Sequence, residues 1–126
     1  MVIKRGQHMS GERRPPQGNF TGEAEQRPLH EQPDAVGVRV SFVRFQPGAR
    51  THWHSHSGGQ VLHVVEGDGL TQSEGGQIEQ LAAGDTAVTV PGIRHWHGAA
   101  SSGPMAHLAV TIGDLSWFDD ALPEVR

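Results

Sequence analysis

Nine histidines are spread over 126 residues, and three of them, His52, His54 and His56, alternate within one short stretch. On an extended strand successive side chains point to opposite faces, so these three imidazoles would share one face. Each ring brings two nitrogens that need partners, which is costly in an ordinary core. A bound cation gives the arrangement a purpose. Gln60 has the parity of His54 and His56, and the Ser57-Gly58-Gly59 turn lets two short strands aim all three side chains at one point. His95 and His97 alternate in the same way on a distant segment, just after Pro91-Gly92. Histidines from two segments joined by an amide or carboxylate point to a divalent cation far more specifically than a single His-x-His pair does.

Positioning such a set takes strands and tight turns. Val36, Val38, Val40 and Phe42 form one alternating row, and Gly37, Arg39, Ser41, Val43 and Phe45 the other, ending at Pro47-Gly48. Residues 60–65 are rich in β-branched side chains. Glu74-Gly75-Gly76 sits between two polar-apolar runs as a hairpin turn. Residues 86–90 stop at Pro91-Gly92, and Met105 to Ile112 reads as a last clear strand. Residues 23–34, broken by Pro28 and Pro33, read as a loop holding at most a short strand. The tail from Leu115 to Asp120 reads as a short helix or 3₁₀ turn, with Trp117 and Phe118 packing back. Many short strands at hairpin spacing predict an all-β barrel or sandwich. Residues 1–19 read as an N-terminal arm, with Val2 and Ile3 available for an edge strand. Residues 20–126 read as one domain with a short C-terminal tail.

Composition narrows the function classes. The formal charge is −4, and five of the ten Lys and Arg fall within residues 1–30, so no basic stripe marks a nucleic-acid partner. The absence of cysteine excludes disulfides, thiolate nucleophiles and cysteine metal sites. No apolar run is long enough to span a bilayer and no signal-like segment opens the chain, so a cytoplasmic protein with no membrane partner is expected.

Gly48-(x5)-His54-x-His56-(x3)-Gln60-(x6)-Gly67 resembles the first cupin motif, with Gln where Glu is usual. Gly84-(x5)-Val90-x-Gly92-(x2)-His95 resembles the second, with Val90 for the usual Pro and Ala99 for the closing Asn. Phe20-Thr21-Gly22, Pro47-Gly48-Ala49-Arg50-Thr51, His95-Trp96-His97-Gly98-Ala99-Ala100 and Met105-Ala106-His107-Leu108-Ala109 extend the likeness. They are similar to the bacterial cupin subgroup that includes manganese-dependent hydroxynitrile lyases, in which Gln at the third ligand position is normal. The resemblance implies a single-domain double-stranded β-helix, or jelly-roll barrel. It implies one metal, Mn first and Fe, Ni, Co or Zn as alternatives, held by His54, His56, Gln60 and His95. His52 stands outside the motif and takes a supporting place at the rim. Trp53, Trp96 and His63 read as structural.

Three neutral imidazoles and a neutral amide leave the full charge on a divalent cation, which favours Lewis-acid chemistry on oxygen-bearing small molecules. Ser41, Val43, Phe45, Ala109 and Thr111 are expected to form the pocket wall. His97 and His107 are the candidates for proton transfer. The resemblance implies cleavage or formation of small α-hydroxynitriles. An Fe-dependent oxygenase and a non-catalytic ligand-binding cupin are the competing readings. The similar lyases carry Gln near Thr111 and a smaller residue at Ser41. Exposed strand edges imply a homodimer, with a homotetramer as the larger alternative.

Overall fold

The computed structural model describes residues 1–6, 19–32 and 34–125. Its elements are strands: β1 (Phe20–Thr21), β2 (Ala24–Glu31), β3 (Val38–Phe45), β4 (Arg50–Thr51), β5 (His54–His56), β6 (Gln60–Glu66), β7 (Asp68–Ser73), β8 (Glu79–Ala82), β9 (Thr86–Thr89), β10 (His95–Ala99), β11 (Met105–Ile112) and β12 (Leu115–Trp117). They form two antiparallel sheets, as in the jelly-roll barrel that the cupin resemblance implies. One runs β2-β3-β11-β6-β9; in the other β10 lies between β7, which continues to β8, and the collinear pieces β4 and β5. β1 and β12 extend the outer side of β4 and β5.

Alternation along β3 and β11 becomes depth in the barrel. Phe45 and Met105 are cross-strand partners at the closed end and are fully buried. There they pack with Val43, Ala49, Val64 and Ala99, and Phe20 stacks on Phe45 with centroids 5.7 Å apart. Burying one such large side chain contributes about 1.5–3 kcal/mol. Two residues further along each strand come Val43 and His107, then Ser41 and Ala109, then Arg39 and Thr111. The same strands therefore supply an apolar floor and, toward the other end, a polar chamber.

The structure corrects the reading of three segments. Residues 24–31 form a full eight-residue strand where a loop was expected. Pro28 is accommodated because β2 is a sheet edge and its pairing with β3 slips between Pro28 and His30. The tail forms β12 instead of a helical turn, because Leu115, Ser116 and Trp117 pair with His56, Ser55 and His54. Third, the histidine strand is interrupted between Thr51 and His54, so His52 does not continue the row of His54 and His56. Most of the arm expected at residues 1–19 lies outside the described residues. Of its described part, Val2 and Ile3 are exposed and outside any strand, Lys4 Nζ lies 2.8 Å from His30 Nδ1, and Arg27 donates to the Gly6 carbonyl.

Two glycines allow the close packing around the chamber. Gly59 turns the chain from β5 into β6 with a φ of 91°, a conformation other residues adopt at a cost. Gly98 lies against β4: a Cβ there would sit 2.3 Å from the Ala49 carbonyl oxygen. No helix among the described residues is long and apolar enough to cross a membrane.

Candidate functional site

β5, β6, β10 and β11 place His54, His56, Gln60, His95, His97 and His107 on the inside of the barrel, each buried. His54 and His95 pair across β5 and β10, and their ring centroids lie 4.3 Å apart. His56 stands 5.1 Å from His54 and 5.7 Å from His95 by the same measure. One ring nitrogen from each of His54, His95 and His97 falls within 4.8 Å of the others, a group that could hold a metal ion.

Backbone carbonyls orient two of these rings. His54 Nδ1 donates to the His52 carbonyl at 2.8 Å, and His95 Nδ1 to the Ile93 carbonyl at 3.2 Å. That tautomer leaves Nε2 of each as a bare lone pair, the form in which histidine binds cations. His52 thus serves the site through its backbone, while its own ring is only half-buried.

The donor set then has an electrostatic problem that a cation solves. His95 Nε2 lies 2.7 Å from the Gln60 side-chain amide, so with Nδ1 carrying the proton its lone pair and the amide oxygen can both be offered to a cation. Both ring nitrogens of His56 are buried with no partner among the described residues. Unpaired buried polar atoms cost about 1–3 kcal/mol each. A shared divalent cation would satisfy both features, so these residues fit one.

His97 and His107 form a second unit beside the first. His107 Nε2 lies 3.1 Å from His97 Nδ1, while His97 Nε2 and His107 Nδ1 lack partners among the described residues. The His97 backbone N–H donates to Thr51 Oγ1, tying β10 to β4. Phe45 lies beneath both rings, at centroid distances of 5.8 and 5.3 Å.

Burial sets the protonation of the whole cluster. It pushes His54 down to about 3, assisted by the neighbouring His95, and His56 down to about 4, assisted by His95 and Arg39. Burial takes His107 to about 4 and His97 well below the usual histidine range, the latter with His107 and His54 adding to the effect. His95 is lowered by burial as well. All five imidazoles are therefore neutral at pH 7 and available as ligands or bases.

A cavity of about 530 Å³ opens onto His54, His56, Gln60, His97 and His107. Ser41, Val43, Ala109 and Thr111 line it as the alternation predicted, whereas Phe45 does not, being sealed into the floor. The sequence reading passed over several lining residues. Gln26 and Pro28 come from β2, the segment read as a loop. Arg39 shares the inward parity of Ser41 and Val43, and that signal was sufficient to place it. Trp117 lines the cavity and approaches the His54 ring to 4.9 Å. Trp96 and Trp53 instead donate to Gln72 Oε1 and the Ala121 carbonyl, and exposed His63 contacts Thr86 Oγ1, so all three have structural partners.

Comparison with known proteins agrees with this geometry. The Cupin domain family matches residues 41–111, more than half of the chain. An (R)-mandelonitrile lyase from Granulicella tundricola is 46% identical over 111 residues, covering 87% of this chain and 83% of that protein. Among solved structures, a cupin-like protein from Thermotoga maritima superposes with a TM-score of 0.78 at 33% identity, covering 94% of this chain and 88% of its own. A Klebsiella pneumoniae protein with a double-stranded β-helix domain gives a TM-score of 0.67 at 22% identity, with coverage of 89% and 95%, a likeness of fold alone. With its motifs, its barrel and its inward histidines in agreement, the chain belongs to the cupin family.

Proposed function

We propose that this cupin is a metal-dependent lyase that cleaves and forms small α-hydroxynitriles, with Mn the leading candidate for its cation. The observation that carries the reading is the buried donor set, in which His56 has no partner among the described residues and Gln60 and His95 meet beside it, next to a neutral histidine pair facing the same cavity. The likeness to a mandelonitrile lyase supplies the reaction class.

In this reading His54, His56, Gln60 and His95 hold the cation. Bound there, it would supply Lewis acidity, lowering the pKa of a hydroxyl brought against it. His97 already has His107 on Nδ1, so its free Nε2 is the atom that accepts the hydroxyl proton. As Nε2 gains that proton, Nδ1–H donates to His107 Nε2 and spreads the developing charge over the pair. The hydroxyl oxygen's electron pair closes the carbonyl, and the C–C bond breaks with its electrons leaving on cyanide. His97 returns the proton to cyanide, so an aldehyde and HCN depart and the pair is neutral again. Thr51 and Phe45 hold His97 in place for both transfers. The Val43 and Ala109 wall excludes water, and Ser41 and Thr111 offer hydroxyls to the substrate.

The outer face of the β2-β3-β11-β6-β9 sheet carries half-buried Val40, Phe42, Val61, Leu108 and Val110 and exposed Val88, which supports a homodimer formed through that face. Benzaldehyde release from mandelonitrile, followed optically with Mn-loaded protein in air and under nitrogen, tests the function. Equal release in both is expected. Turnover confined to air would favour an Fe-dependent oxygenase, and no release would remove the lyase reading.

A further inference from the structure

The inner face of the five-stranded sheet ends in a row of four cross-strand neighbours, Glu31, Arg39, Thr111 and Gln60. Directly opposed residues of an antiparallel sheet share a face, and all four line the cavity. Arg39 therefore sits on the chamber side, two strands from Gln60, with backbones about 10 Å apart at ordinary strand spacing. It is half-buried and forms no ion pair among the described residues; Glu31 beside it is exposed and equally unpaired. A guanidinium lining a cavity of neutral imidazoles, with no carboxylate ion-paired to it among the described residues, is available to an anionic ligand. Its fork of donors matches a carboxylate in two parallel hydrogen bonds.

We propose that Arg39 is a specificity-determining residue that binds the carboxylate of the substrate, so that the preferred ligands are small aldehydes or hydroxynitriles bearing an acid group remote from the reacting carbon. This deepens the lyase reading and rests on it for the end of the molecule that faces the histidines. Thr111 stands between Arg39 and Gln60 in the row, and its short hydroxyl side chain leaves the path between the two ends open. Glu31 weakens the field of Arg39 at the rim without occupying it.

The probes are 4-formylbenzoate and 4-formylbenzamide, which match in shape and differ in charge. Calorimetric titration of each into the Mn-loaded protein gives the two dissociation constants. A carboxylate preference of about tenfold or more is expected for the wild-type chain. The preference should vanish in Arg39→Ala and Arg39→Gln, survive in part in Arg39→Lys, and grow in Glu31→Gln. Thermal melts establish that each variant is folded, and Arg39→Gln keeps the test open if Arg39→Ala is not. Equal affinity for the two probes, no binding of either, or a preference that persists without Arg39 because the cation holds the carboxylate would overturn the proposal. The mandelonitrile assay is separate: an Arg39-dependent preference in a protein that cleaves no hydroxynitrile would retain carboxylate recognition and remove the lyase.

Discussion

Acidification should destabilise the metal-free protein by an amount that its buried histidines set. A histidine in the unfolded chain titrates near 6.5, whereas folded His54 and His107 are held at about 3 and about 4. Between those values the unfolded chain binds protons that the folded chain refuses, so stability is full above 6.5 and falls as pH drops toward 4. At pH 5 the unfolded forms have gained about 1.5 pH units of protonation at about 1.4 kcal/mol per unit, or about 2 kcal/mol for each histidine. His54 and His107 together give about 4 kcal/mol, a large share of the roughly 5–15 kcal/mol typical of a folded domain. His56, His95 and His97 are shifted in the same direction and act in the same sense. Asp34 does not compete in this window: its carboxyl is lowered by the Gln32 side chain and the Gly37 backbone N–H, so its contribution is lost only at lower pH. Urea unfolding of chelator-treated protein at pH 7 and pH 5 measures the difference, and His107→Leu should shrink it by about 2 kcal/mol. Stability at pH 5 equal to or greater than that at pH 7 would refute the burial reasoning.

Three further outcomes follow from the geometry. His56→Ala should weaken Mn binding at least about tenfold in a competition titration, since both nitrogens of that ring lack other partners. His97→Ala should lower mandelonitrile turnover by about 10²–10⁴-fold while Mn content stays unchanged; loss of the metal instead would make His97 a ligand. Gly98→Ala should cost about 2–3 kcal/mol in urea unfolding, because the added methyl would sit 2.3 Å from the Ala49 carbonyl oxygen and 2.7 Å from Arg50 Cα.

The barrel was legible in the sequence because alternation and turn residues are local signals. Parity along 36–45 and 105–112 sorted inward from outward side chains, and in the structure Ser41, Val43, Ala109 and Thr111 all reach the cavity. His54 and His95, which the two motifs bring to one site, are cross-strand neighbours. Errors arose where tertiary pairing overrides local preference. Pro28 argues against a strand until β2 is known to be an edge, and β12 exists only because β5 offers it a partner. Phe45 has the parity of a wall residue, but parity cannot measure depth, and the seven residues from Arg39 to Phe45 carry the strand from rim to floor. Arg39, by contrast, has the parity of Ser41 and Val43 and lines the cavity with them, so its place in the wall follows from the same alternation.

Metal content bears most directly on the centre itself. The full chain, grown in medium supplemented with Mn and Fe and purified without chelator, should carry about one divalent cation per chain by plasma mass spectrometry. A folded His54→Ala/His95→Ala variant should carry almost none. A folded wild-type chain that holds no cation, or a double variant that keeps its full complement, would contradict a centre built on these histidines.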